Sequence, residues 1–221
     1  MTSKELYYQF HLLLNRNAKF ENVKVPIGNF VSLYNREKDR WLSAKIDLYN
    51  SSDDILDLQS QYVNKHILKQ ISKNSNYYEY QLPEDFFSYS TSFSEASLGV
   101  CEGVVYNYTF KNKDKNNFLG DYIKEPSFEY EESLCNISED KLIVYYKDYE
   151  IKQSYLSYYK RIEDIDIEGY VKINQELSID KDQELDSFYQ NQILDLVVTE
   201  VMREFGDTKF QLAKERENFK Q

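Results

Sequence analysis

Residues that break, bridge or ligate are scarce in this chain. Its 221 residues include 3 prolines, 6 glycines, 2 cysteines, 2 histidines, 2 methionines and 1 tryptophan. Cys101 and Cys135 stand far apart with no CxxC pair, which argues against both a disulfide framework and a zinc site and leaves free thiols in a reducing compartment. His11 lies among leucines and His66 near a strand start, neither with the cysteine or spaced carboxylate that a ligand set needs, so both read as packing or surface residues. There is no GxGxxG, Walker loop, GxSxG or HExxH. Basic charge is short too: 27 Lys and Arg stand against 38 Asp and Glu, a net charge of -11. Binding to nucleic acid by counterion release is therefore disfavoured, and the nearest approach to a basic patch is Lys111, Lys113 and Lys115 in an expected turn. The first residues lack a basic region and a cleavage site, and the apolar run 10–14 is too short to span a bilayer. The expectation is a soluble protein made without export.

Tyrosine and phenylalanine are plentiful, at 21 and 13. They supply much of an apolar content of 41% in a chain whose mean hydropathy is -0.70. Tyrosine buries a ring and keeps a hydroxyl, so it suits interfaces, although codon bias in an AT-rich genome raises Tyr, Phe, Ile, Asn and Lys without any functional reason. The acidic excess, in 125–139, 163–168 and 180–184, reads by default as a solvated face.

The clearest element is 182–205, free of Pro and Gly. Leu185, Phe188, Tyr189, Ile193, Leu196, Val197 and Val201 recur there at steps of three and four, the stripe of a helix capped by Asp182 and stopped by Gly206. Thr2 and Glu5 stand in capping-box spacing before Leu6, Phe10, Leu13 and Leu14, which predicts a first helix over 2–17. Asn29 opens a second, with Phe30, Leu33, Tyr34, Trp41 and Leu42 inside and NREKDR (35–40) outside. A last helix is expected over 208–219. Between them the period falls to two. Strands are predicted at 67–71, 77–82, 86–93 (FFSYSTSF, aromatics alternating with Ser or Thr), 103–110, 142–146 and 151–159. Hairpins are expected around 111–117 and across Lys147-Asp148, and 161–169 is a connector pinned by Ile162, Ile165 and Ile167. Helices, then strands, then helices read as α+β with the two ends packed together. The acid pairs Asp53 with Asp54 and Asp164 with Asp166 are what 38 acids produce by abundance, so no enzyme is expected.

Several stretches in order carry a resemblance: LYYQFHLLLN (6–15), FVSLYNREKDRWL (30–42), LPEDFF (82–87) with SYSTSFSEASLGVC ending at Cys101, YYKRIEDIDIEGY (158–170) and ILDLVVTEVMREFGDTKFQ (193–211). Together they resemble the head-to-tail adaptor proteins of short-tailed phages, of the ring-protein type found in crAss-like phages of gut Bacteroides. The resemblance implies an α+β fold in which N- and C-terminal helices form an antiparallel helical bundle with a β-rich insertion between them. The divisions would be 1–60, 61–170, 171–207 and 208–221. Leu6, Phe10, Leu13, Phe30, Trp41, Leu185, Tyr189, Ile193, Leu196, Val197 and Val201 would form the bundle core. The family has no catalytic residue, and no cofactor or metal is expected. It implies a homo-oligomeric ring of twelve copies beneath the portal protein, next to other tail rings, in a virion assembled in the host cytoplasm. DNA would pass through the ring without sequence-specific binding. By position, Phe210, Ala213, Arg216 and Phe219 would dock on the portal, with Gly206-Asp207 as the break before that tail. The alternatives are another neck component, such as a tail-tube or stopper ring, or a small acidic enzyme or carbohydrate-binding module using exposed tyrosines and Trp41.

Overall fold

Segments that alternate Tyr, Phe, Ile or Val with Ser, Thr, Gln or Lys suit a pleated surface, and between residues 62 and 160 they build one eight-stranded sheet. The structure, a computed structural model, describes residues 1–17, 24–49, 59–110 and 125–204. The chain divides into two compact units, Met1–Ile55 with Ile162–Gln221, and Leu56–Arg161.

The second unit holds strands β1 (Tyr62–Ile67), β2 (Lys69–Lys73), β3 (Tyr77–Gln81), β4 (Phe86–Leu98), β5 (Cys101–Thr109), β6 (Glu132–Ser138), β7 (Lys141–Tyr145) and β8 (Glu150–Lys160). Their order is β1-β8-β4-β5-β6-β7-β3-β2, antiparallel except for the parallel pair β5 and β6, and the sheet curls into a half-barrel. Two causes of the curl are visible. The register between β4 and β8 shifts three times, and each such bulge bends a strand and adds twist. On the inner face β4 and β8 present Ser92, Ser94, Ala96 and Ser154, small enough to let Tyr78, Tyr80, Leu142, Val144, Leu156 and Tyr158 fill the interior. The two edge strands, β1 and β2, are consecutive in the chain. Only Leu68 separates them, and its amide donates to the Ser154 carbonyl at 3.0 Å. Tight two-residue turns close β4 to β5 and β6 to β7. Each puts its first residue, Gly99 (φ 62°) or Glu139 (φ 54°), in the left-handed region, as short hairpins require.

The first unit contains α1 (Ser3–Asn17), α2 (Ile27–Tyr49) and α3 (Ser187–Glu204), the three α-helices among the described residues. Thr2 Oγ1 accepts from the Glu5 amide at 3.2 Å and Glu5 returns a bond to the Thr2 amide at 2.8 Å, closing a capping box. Phe10 of α1 meets Phe30 of α2, and Phe30 meets Tyr34, in a run of tilted rings, with Leu6 and Leu14 of α1 also buried. The connector after the sheet is built into the same unit. Ile162, Ile165 and Ile167 are buried, and the Asn35 side chain both donates to the Ile165 carbonyl and accepts from its amide, each at 3.0 Å. Lys38, fully buried on the apolar stripe of α2, donates to the Ile162 carbonyl at 2.8 Å and pairs with Asp164. The face 35–40 is therefore not simply a wet one, since Glu37 and Lys38 lie inside.

The expected antiparallel bundle with a β-rich insertion does not form: the fold is dominated by the eight-stranded mixed sheet, accompanied among the described residues by three α-helices. The sequence hid this because Pro and Gly, the usual marks of strand ends, are too few to show how many strands there are. The hairpin expected across Lys147-Asp148 also fails, since β7 pairs with β6 and β3 while β8 pairs with β1 and β4. The strand expected at 67–71 is two strands broken at Leu68. The turn expected at 111–117 lies outside the described residues.

Helix α3 differs in length and phase from the stripe read in the sequence. It begins at Ser187, capped by Asp186, whose carboxylate accepts from the Phe188 amide at 2.8 Å. Asp182 instead accepts from the Ser3 amide at 2.6 Å. The buried stripe is Gln190, Ile193, Leu194, Val197, Val198, Val201 and Met202. Leu196 and Phe188 face solvent, Tyr189 is half-buried, and Leu185 precedes the helix. The run ILDLVV puts apolar side chains on adjacent positions, so two stripes fit the period equally. Packing chose the one that lets Trp41 Nε1 donate to Gln192 Oε1 at 3.0 Å beside the Tyr189 ring.

Candidate functional site

After its second bulge, β4 alternates opposite to its chemistry. Ser92 and Ser94 point inward and are buried, while Phe93 turns outward. Register then aligns Ile67 of β1 with Tyr155 of β8, Tyr155 with Phe93, and Phe93 with Tyr106 of β5. These four neighbours form a row across four strands on the outer face. Ile67 is 61% exposed and Tyr106 52%, with Tyr108 and Val104 beside it on β5 also exposed. The rings of Phe93 and Tyr155 stack at 4.8 Å and 15°, Tyr155 donates to Glu95 at 3.0 Å, and the Lys65 ammonium lies 5.9 Å from the Phe93 ring. The carboxylate of Glu95 beside it pushes the Tyr155 hydroxyl upward. Phe93 and Tyr155 spend one face each on the other, while Tyr106 and Tyr108 stand open beside them.

Behind the row the inner face is polar and closed. Ser94 bonds Ser154 at 2.8 Å, Asn107 donates to Ser94 at 3.1 Å, and Tyr89 donates to the Asn107 carbonyl at 3.0 Å. Cys135 sits against Tyr89 and Ser92, each at 3.8 Å, and burial pushes its thiol up to about 11. A thiol so placed is not a nucleophile at neutral pH. A cleft of about 520 Å³ lies between Ser75–Tyr77, Glu125–Pro126 and Tyr145–Asp148. Its polar groups largely serve each other, as Lys147 pairs with Glu125 and Tyr146 donates to the Asn74 carbonyl at 2.8 Å.

A second exposed apolar feature belongs to the first unit. Residues 170–179 form a narrow arm closed by the bridge between Val171 and Leu177, with Gln175 at φ 68° in its turn. Val171, Ile173, Leu177 and Ile179 all stand in solvent, Ile173 completely. The arm is held at its base by Asp166, whose carboxylate accepts from the Ile167 amide (2.9 Å), the Tyr170 hydroxyl (2.8 Å) and the Ile179 amide (3.3 Å), and pairs with Lys172 at 2.6 Å. Burial works to raise this carboxyl, but Lys172, Tyr170 and the two amides outweigh it and hold it below the usual value. Tyr170, half-buried with its hydroxyl against Asp166, is pushed up to about 12 by desolvation and by that charge.

Of the residues named from sequence, Leu6, Phe10, Phe30, Trp41, Ile193, Val197 and Val201 are buried in the first unit, and Leu13 is half-buried. His11 lies edge-on to Tyr7 at 4.6 Å and His66 edge-on to Tyr158 at 5.9 Å, both as ring packing. Asp164 and Asp166 do not act together, the one pairing with Lys38 and the other anchoring the arm. Phe210, Ala213, Arg216, Phe219, Gly206, Asp53 and Asp54 lie outside the described residues. Among the described residues no cluster of His, Cys, Asp and Glu is placed to hold a metal, and no helix is long and apolar enough to cross a membrane. Sequence reasoning missed the outer row and the arm. The arm had a signal in VKINQELSI, whose apolar residues alternate on either side of Asn174-Gln175. No family model matches the chain, and no curated protein matches it.

Proposed function

We propose that this chain is a structural protein of a phage virion, a head-to-tail adaptor subunit that assembles into a ring between the portal and the tail. The observation that carries this reading is the row Ile67, Tyr155, Phe93 and Tyr106, an apolar band on the outside of a sheet with a filled interior. Contiguous exposed apolar surface marks contact with another macromolecule, and Tyr and Phe are the residues interfaces favour. Ring subunits need such surfaces on two sides. An acidic chain suits a DNA channel as well, because repulsion keeps phosphate from sticking to its wall. The motif order from 6–15 to 193–211 adds to this reading independently of the helical arrangement.

The row also bears on the sugar-binding alternative. Carbohydrate is gripped by open aromatic faces, and at the centre of this row the stack of Phe93 on Tyr155 closes one face of each ring with the Lys65 ammonium beside it, which leaves Tyr106 as the open ring of the four. Protein contact is the better use of this surface. The test is assembly. Purified chain, alone and co-expressed with the portal protein of a short-tailed crAss-like phage, should form rings visible by negative stain and by mass photometry. Free monomers under both conditions would sink the proposal. Rings that bind a tail tube but never a portal would move the chain to a more distal neck position.

A further inference from the structure

The arm 170–179 keeps four aliphatic side chains in water although the chain around it is tied down. Asp166 makes three hydrogen bonds and an ion pair there, and Ser178 Oγ accepts from the Tyr170 amide at 2.9 Å. Such anchoring stabilises the unit and also fixes where the four side chains stand. A docking element gains a great deal, because ordering before contact removes an entropic cost of association.

Charge indicates what the arm meets. Residues 163–186 carry nine acidic side chains and two basic ones. Residues 62–73, the two edge strands, carry Lys65, Lys69 and Lys73 with no acid, in a chain with net charge -11. Lys65 and Ile67 stand at the end of the outer aromatic row, both exposed. The surroundings of the arm are thus acidic and aliphatic, and the β1 end of the row is basic and aromatic, with Glu95 further in on β4 and bonded to Tyr155. They belong to different units of the same chain.

We propose that the arm of one copy docks on the β1 end of the outer aromatic row of a second copy, setting Ile173 against Ile67 with Lys65 and Lys69 facing the acids around the arm. This rests on the ring reading above and names its lateral contact. Two different patches joined head to tail are heterologous, and repetition of such a contact closes a ring or runs into a filament.

The experiment cross-links copies of the full chain. One batch carries I173C and another I67C, both in a C101S background, since Cys101 is exposed and Cys135 buried. After mixing and mild oxidation, a disulfide-linked dimer that needs both variants is expected. In parallel, I173E, at a fully exposed position that leaves the fold intact, and K65E/K69E should each weaken self-association at least tenfold by sedimentation. No mixed dimer, or I173E copies associating at wild-type strength, overturns the arm contact. If the wild type still forms rings in that case, the ring proposal stands and its lateral contact lies elsewhere. If the wild type stays monomeric alone and with portal, both fall.

Discussion

Asp166 shows how one carboxylate can set the geometry of a surface it never reaches. Its folded-state pKa is depressed, so its contribution to stability is fully present above the unfolded value near 4 and is lost as pH falls through the folded value. Replacing Asp166 with Ala strands the Tyr170 hydroxyl, two amides and Lys172, a change that should cost about 3 kcal/mol near neutral pH. With Asn in its place, the gap to wild type in urea unfolding should narrow between pH 5 and pH 2; a constant gap would mean that the charge contributes nothing. Gly28 faces the same arm. A Cβ there would lie 3.0 Å from the Tyr170 ring, which cannot swing aside while its hydroxyl is bound to Asp166. Gly28 is the second residue of α2, where Ala gains less over Gly than the ~1 kcal/mol of a helix interior, whereas overpacking costs about 1–3 kcal/mol. Gly28→Ala should therefore lower the melting temperature, and a rise would show that the ring yields. The two thiols make a simpler contrast. Cys101 should react with a thiol reagent within seconds at pH 8, and Cys135, buried and pushed up to about 11, only on unfolding.

At the level of single elements, the outer row separates folding from assembly. Phe93 is only half-buried, so Phe93→Ala should cost the isolated chain about 1 kcal/mol through the lost cross-strand pair with Tyr155. Ring formation should suffer far more. A loss of stability large enough to unfold the chain would place Phe93 in the core instead. Legibility also varied element by element. Thr2 and Glu5 announce α1 because a capping box is local chemistry. The phase of α3 could not be read, because Leu194, Val197 and Val198 extend the apolar surface around the helix and only Trp41 and its neighbours decide which side is covered. On β4 the alternation was plain but its direction was not. Burying Ser92 and Ser94 makes sense only once the sheet is known to curl and Asn107 and Ser154 are there to bond them. Strand pairing was the least legible feature, since β7 and β8 adjoin in sequence and do not pair with each other.

For the whole molecule, charge makes a prediction that needs no assembly. With a net charge of -11, the chain should not shift duplex DNA in a gel at about 0.15 M salt, where non-specific binders depend on phosphate neutralisation. Retention of DNA would require a basic surface elsewhere and would tell against an acidic channel wall. The candidate site itself was only half visible in the sequence. The abundance of Tyr and Phe pointed to interfaces, but which rings end outside depends on the register among β1, β8, β4 and β5.

The sheet order has a consequence in time. Strand β1 pairs with β8, and contacts such as that between the Lys65 amide and Ser157 Oγ join residues 92 positions apart. At about 5–20 residues per second of synthesis, β1 waits on the order of 5–20 s for its partner to leave the ribosome. Through that interval its unpaired edge is open to any neighbouring nascent chain. Lys65 on β1, with Lys69 just beyond its end, is the side chain that repels such pairing, so the stretch proposed to receive the arm in the finished ring would earlier have kept the unfinished chain alone.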